Sequence, residues 1–425
     1  VNDAHSQVLS STRLETSSRH IPPNRDPLLL ALAARIICPL WLRQRGQVHS
    51  VHLSPEAEQL LLTLRQDRVM VCSNHPSYEA PIWFAVGARL GIPLCFMANR
   101  EFFDRPVEGW LIRRVGAYSV ARGQRDREAA ESTIRLLTNG GNWVVMFPEG
   151  ENHHMHSVVA PFLPGAARLG LQALARLDAA SEPVYLLPVA ARYYYTTDMR
   201  ARMRTALSGL ERELDMAPVA GWQARLLRIA DRVISASESH YRLTPLAEDN
   251  LRTRLVRLRE QILTHAVVCL GIQPASNGKP LLARIRRLLT EADISLAERR
   301  ESRSAWQRRV SLQRSRQVKG VRSHLKWLLA WYAVDDMLEV PPQSVEDFMD
   351  VVERLERGVY GRSRYWARRA VELQVGRPID LRLWLDTYHT APVHAIDAVT
   401  WELENAVRGL LTASAHLMTP LPEQR

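Results

Sequence analysis

The sequence predicts an α/β fold: a mostly parallel sheet flanked by helices, with a large all-helical insertion. Three observations carry this. Between residues 67 and 199 the short apolar runs RVMVCSN (68–74), PLCFMAN (93–99), GAYSVAR (116–122), WVVMFPE (143–149) and VYLLPVA (184–190) alternate with helical patterns, as in βα units. From 200 to about 365 strand signals fade, and Leu251, Leu255, Leu258 and Ile262 recur at helical spacing among many arginines, the pattern of a bundle core. A strand-like run, AVELQVGRPIDL (370–381), then returns ahead of a last helical pattern at 397–413.

Taken in order, the residues up to Arg25 are polar. Asp26 and Pro27 suit the N-cap and first position of a helix that continues to Arg45. Arg35 and Pro39 interrupt its apolar run, which falls short of the roughly 20 clean apolar residues of a spanning helix. An interfacial helix is expected, with Trp41, Arg43 and Arg45 at headgroup level; a buried core helix is the alternative. The segment lacks the basic start and small-residue cleavage site of a secretory signal. Asp126 and Gly140 bracket a further helix as N-cap and C-terminal stop. In WVVMFPEGENHH (143–154) the strand stops at Pro148, which cannot continue the ladder, and Gly150 permits a sharp turn. Glu149 is thereby set at the carboxyl edge of the sheet, where ligands of open α/β sheets bind. A strand-end carboxylate also caps a following helix, so this stretch alone leaves its role open.

The formal charge is +11, from 56 Lys and Arg against 45 Asp and Glu. This points to an anionic partner, whether nucleic acid, phospholipid surface or acidic carrier, without choosing among them. Cys38, Cys72, Cys95 and Cys269 show no CxxC spacing and mostly apolar neighbours, the pattern of reduced core residues in a reducing compartment. His153, His154 and His156 lie close together, but no carboxylate or cysteine sits at a ligand spacing, so no metal site is expected.

Polar residues collect where the strands end. His75 follows the first run at a strand-to-helix turn, where a neutral imidazole takes a proton from an incoming hydroxyl. The third run ends in Arg122 and the fourth in Glu149. A histidine, an arginine and a glutamate at three such ends supply a base, a phosphate-binding cation and an orienting carboxylate.

These residues resemble the motifs of the PlsC-like glycerolipid acyltransferase superfamily, which includes 1-acylglycerol-3-phosphate acyltransferases. NHPSYEAP carries the first motif in Asn74, His75 and Ser77; GAYSVAR the second in Gly116 and Arg122; Phe147, Pro148, Glu149 and Gly150 match the third; LPV (187–189) matches the fourth. PFLPGAARLGLQAL (161–174) resembles the segment between the last two, and Gly376, Pro378 and Ile379 resemble the family's closing strand and turn. The resemblance implies an O-acyltransferase in phospholipid biosynthesis or remodelling, peripheral on a membrane in the cytoplasm. It implies acyl-CoA or acyl-ACP as thioester donor, a lysophospholipid or glycerol-phosphate-type acceptor, and no cofactor. His75 would be the base, Arg122 would hold the acceptor's headgroup, and Asn74, Ser77, Gly116, Phe147, Pro148, Glu149 and Gly150 would line the substrate site.

Two departures accompany the resemblance. The family's orienting aspartate falls at Ala80, with Glu79 one residue earlier. One residue is a rotation of about 100° on a helix, so Glu79 reaches His75 only through its longer side chain or a turn not yet helical. Failure to reach it would leave a degenerate acyltransferase that binds lipid without turnover. After Gly150, where many relatives continue Thr-Arg-Ser, this chain has Glu151, Asn152 and His153; Arg125 and Arg127 are candidate substitutes for the missing arginine. The motifs also favour an anionic membrane over nucleic acid, for which Trp306, Trp327 and Trp331 would have had to stack on bases. The expected organisation is a polar N-terminus and amphipathic helix (1–66), the acyltransferase domain (67–199), an Arg-rich helical insertion (200–365), and a strand and helix that complete the domain (366–425).

Overall fold

Val69, Met70, Val71 and Cys72 are shielded completely, as a central strand requires in a sheet covered on both faces. The computed structural model describes residues 20–77, 79–121, 126–150, 152, 155–177, 182–244, 250–273, 280–297, 304–332 and 341–422. Its strands are β1 (Val48–Leu53), β2 (Arg68–Ser73), β3 (Leu94–Asn99), β4 (Ala117–Val120), β5 (Trp143–Met146), β6 (Val184–Tyr195), β7 (Arg369–Val375) and β8 (Ile379–Asp380). They lie in the order β1-β7-β6-β2-β5-β3-β4, with β8 paired to β6. The five strands β6, β2, β5, β3 and β4 run parallel. The β7 strand is antiparallel to β6, and β1 is parallel to β7, which makes the sheet mixed.

β1 corrects the expectation that residues 1–66 stand outside the sheet. Its sequence, VHSVHL, has two histidines and a serine that mask the apolar signal, and it pairs with β7 more than 300 positions later in the chain. Sequence-local patterning does not report such a non-local pairing.

Two apolar layers cover the sheet. One packs α1 (Pro27–Arg45), α2 (Pro55–Thr63) and α3 (Glu79–Leu90) on one face through residues such as Leu42, Leu61 and Trp83. The other packs α5 (Arg127–Thr138), α6 (Gly165–Leu174) and the last long helix, Pro392–Ala413, on the opposite face; α4 (Pro106–Arg114) leads into β4. The Asp126 carboxylate caps α5 by accepting from Ala129 N at 2.9 Å.

The Asp26 side chain caps α1, accepting from Leu28 N and Leu29 N. Ala33–Ile37 form a π turn directly before Cys38 and Pro39, a local widening that accommodates the proline's missing N–H. By length and composition Pro27–Arg45 is apolar enough to cross a membrane, contrary to the expectation that it falls short. In this fold Ala33 and Leu42 are buried against the domain and Ala34, Ile37 and Cys38 pack beside them, while most of the helix stays unburied. Leu28, Leu32, Ile36 and Leu40 form an outward apolar stripe at four-residue spacing.

The helical segment comprises α7 (Arg200–Glu213), α8 (Trp222–His240), α9 (Leu251–Leu270), α10 (Leu281–Ala297), α11 (Ala305–Trp331) and α12 (Val345–Tyr360). It leaves the sheet at Tyr195 and re-enters at Arg369, and those two residues are direct antiparallel partners. Because the ladder already holds its ends together, the length of the segment adds little closure cost to the sheet. Leu255, Leu258 and Ile262 are buried in its core. Trp331 is buried and stacks on Trp327 at 4.9 Å between centroids, leaving only Trp306 of the three tryptophans widely exposed.

Candidate active site

β2 stops at Ser73, and the side chain of Asn74 extends its ladder. Asn74 Oδ1 accepts from Ala191 N at 2.7 Å and Nδ2 donates to Ala191 O at 3.2 Å. An amide presents both an acceptor and a donor, so it substitutes for a peptide unit where the chain must turn away. Asn74 is therefore a scaffold of the histidine turn rather than a group that faces substrate.

His75 lies in the turn after β2 and Glu79 opens α3 four residues on, and their side chains meet. His75 Nδ1 lies 2.6 Å from Glu79 Oε2. The imidazole side chain is 22% exposed and the glutamate is fully buried. Glu79 Oε1 accepts from Ser77 N at 2.8 Å and from Tyr193 Oη at 2.6 Å. With its Nδ1–H directed to a carboxylate, the imidazole keeps the Nε2 lone pair for a proton. Phe147 stacks on the ring, centroids 4.2 Å apart and 13° from parallel. Ala80, the position of the family's aspartate, packs against the apolar layer under the sheet.

Glu149 is also buried, and its carboxylate grips two backbone groups: Oε1 accepts from His75 N and Oε2 from Ala160 N, each at 2.7 Å. It ties the histidine turn to the segment before α6, a positioning role in place of the expected direct role in binding substrate. Burial raises its carboxyl pKa to about 7, against the opposing pull of the two N–H groups and of His75. A raised folded-state pKa gives stability that is full below the ordinary carboxylate range and lost as pH rises through about 7. Glu149→Gln should flatten that decline. It should also cost about 1–3 kcal/mol, because one of the two backbone N–H groups then faces an amide donor. Denaturant melts of both proteins across this pH range check it; parallel pH profiles would show that Glu149 does not titrate there.

Gly150 adopts φ +74, and a Cβ there would lie 2.7 Å from Leu163 Cδ1, so only glycine makes this turn without displacing Leu163. Pro148 is buried behind it. Ser77 is buried, and its Oγ has no hydrogen-bond partner among the described residues. Gly116 does not join the group. It precedes β4, with its carbonyl bonded to Phe96 N and Arg25 packed over it, at the amino edge of a parallel sheet whose carboxyl edge carries His75. Arg122, Arg125, Glu151, His153 and His154 lie outside the described residues. His156 is committed to Asp350 and Arg369, which removes it from the histidine cluster. Arg127 is exposed at the start of α5.

Two residues were not picked out from sequence. Arg286, on α10 of the helical segment, donates to Glu149 O and, at 3.4 Å, to Pro161 O. Nothing distinguishes it in sequence from the other arginines of that segment. Tyr193 continues the alternation of Val189 and Ala191 along β6, so its facing was legible once the strand was known to run six residues beyond the fourth motif. Asn152, where relatives carry arginine, donates to Ser77 O at 2.7 Å and closes the turn over His75.

Residues 48–192 match the family model described as Acyltransferase. Over 89 residues the chain is 26% identical to a 1-acyl-sn-glycerol-3-phosphate acyltransferase of Streptococcus pneumoniae, a stretch that is 21% of this chain and 33% of that protein. The match therefore spans about a third of that relative's length. No solved structure matches the chain.

Proposed function

From a chain whose residues 48–192 belong to the acyltransferase family, within the PlsC-like superfamily, we infer an O-acyltransferase of phospholipid biosynthesis or remodelling. It moves a fatty acyl group from acyl-CoA or acyl-ACP to a hydroxyl of a lysophospholipid or glycerol-phosphate-type acceptor. The observation that carries the reading is the 2.6 Å pairing of His75 with a buried Glu79 at the carboxyl edge of the sheet.

His75 Nε2 takes the proton of the acceptor hydroxyl as its oxygen attacks the thioester carbonyl. The imidazolium is stabilised by Glu79 while the tetrahedral oxyanion forms. Collapse breaks the C–S bond, the proton passes from Nε2 to the departing thiolate, and the ester and free thiol leave. No covalent acyl-enzyme and no cofactor enter this scheme. Arg122 is assigned to the acceptor's headgroup by its place in the second motif, as a guanidinium suited to phosphate.

Thioester release, followed with acyl-CoA and acyl-ACP against lysolipid acceptors, is the deciding measurement. Acceptor-dependent thiol release that vanishes in His75→Ala is expected. Lipid binding without release would establish the degenerate reading instead.

The α1 stripe of Leu28, Leu32, Ile36 and Leu40, with Arg43 and Arg45 at its end, supports a peripheral membrane surface, and the family resemblance is the ground for placing it on the cytoplasmic side. Vesicle binding should weaken when salt is raised or acidic lipids are omitted. Equal binding to neutral vesicles at high salt would show that apolar insertion alone suffices.

A further inference from the structure

We propose that Tyr193 is a positioning residue for the His75–Glu79 pair, holding the glutamate in the one arrangement that orients the imidazole; this rests on the acyl-transfer reading above. The need for such a residue follows from the displaced carboxylate. Glu79 has one more rotatable bond than the aspartate it stands in for, so its carboxylate has more ways to miss Nδ1. In the structure that freedom is removed by three donors. His75 Nδ1 engages Oε2, while Ser77 N and Tyr193 Oη engage Oε1, the last at 2.6 Å. Ser77 belongs to the same turn as Glu79 and moves with it. Tyr193 comes from β6, the strand paired with β2, and fixes the carboxylate relative to the body of the domain.

The tyrosine ring is itself fixed. Its centroid lies 4.9 Å from that of His156, and the Arg369 guanidinium stands over it at 5.1 Å. Arg369 Nη1 bonds His156 Nε2 at 2.9 Å, and His156 Nδ1 bonds Asp350 Oδ1 of α12 at 2.5 Å. The helical segment thus supports the phenol indirectly, through Asp350 holding the His156 ring that packs beside it. The charged and titratable groups facing the assembly are Glu79 from α3, Glu149 from the β5 turn, His156 ahead of α6, Arg369 from β7, and Asp350 and Glu353 from α12.

Tyr193→Phe deletes only the hydroxyl and keeps the ring in its seat. Loss of a donor to a buried carboxylate leaves its charged form less stabilised and lets the paired imidazole retain a proton to higher pH. Both changes move the acid limb of the kcat profile upward. The expected result is a kcat lowered about tenfold or more, an unchanged KM for the acceptor, and an acid limb displaced to higher pH. An unaltered kcat and limb would overturn the proposal.

A second measurement does not depend on turnover. The His75 ring resonances, identified by their loss in His75→Ala, are titrated by NMR in the unsubstituted protein and in Tyr193→Phe. A higher midpoint in Tyr193→Phe supports the proposal even if no acyl acceptor reacts, which would sink only the functional reading. Superimposable titrations would overturn the proposal whatever the activity.

Discussion

Glu79→Gln should lower kcat by about 10⁴-fold while leaving acceptor binding nearly intact, by analogy with loss of the orienting carboxylate in triad enzymes. Glutamine keeps the volume, and its carbonyl oxygen still accepts from Ser77 N and Tyr193 Oη, as Oε1 does now. Its NH₂ then faces His75 Nδ1, where Oε2 lies at 2.6 Å. Two donors cannot share that contact, so Nδ1 becomes the acceptor and the ring proton moves to Nε2. The histidine is still present but carries its proton on the nitrogen that should accept one. Restoring the family's residue by Ala80→Asp in the Glu79→Gln background should not recover activity, because position 80 packs against the apolar layer and not toward the imidazole. Thioester-release kinetics on the single and double variants test both statements. Activity of Glu79→Gln within tenfold of the unsubstituted chain would mean that another group orients His75. Recovery by Ala80→Asp would mean that position 80 turns toward the imidazole in solution instead of packing on the apolar layer.

The largest stability effect is expected from Asp350→Ala. Asp350 projects from α12 and uses both oxygens on one residue, accepting from His156 N at 2.8 Å and meeting His156 Nδ1 at 2.5 Å. Burial opposes its charge, yet His156 and Arg354 outweigh burial and hold its pKa below the ordinary carboxylate value. Removing it strands two donors of His156 and takes away one of the two carboxylates, Asp350 and Glu353, whose charge supports the buried Arg354, a loss of about 3–5 kcal/mol for a broken buried pair. The sign of the pH dependence follows from the lowered pKa. Its contribution is present above the ordinary carboxylate value and is lost as pH falls through the folded-state value. Unfolding free energies from denaturant titration should therefore differ by this amount at neutral pH and converge in acid. A difference under about 1 kcal/mol at neutral pH would show the pair to be solvated, as exposed pairs are.

What the sequence by itself determined is local in origin. Six of the eight strands among the described residues, the N-cap at Asp126 and the strand-to-helix turn at His75 follow from apolar runs of strand length and from the turn chemistry of Asn, Pro and Gly. These signals act over a few residues, so they survive without knowledge of the partners. The helical character of 200–365 was legible for the same reason, since its apolar repeat is set by the helix itself.

Only the tertiary structure decided the rest. β1 is a strand because β7 lies beside it, and β7 lies beside β6 because the helical segment brings the chain back to Tyr195. Which of Glu79 and Ala80 faces His75 depended on tertiary contacts: Glu79 accepts from Ser77 N and from Tyr193 of β6, while Ala80 packs on the apolar layer. The sequence motif grouped Gly116 with His75, yet the direction of β4 places it at the opposite edge of the sheet. Glu149 appeared by position to be a group that faces substrate, and it became a clamp because two backbone N–H groups converge on it from segments 74 and 11 residues away. Contacts of this kind depend on which chains a folded sheet brings side by side, and a local pattern of residue types carries no record of that.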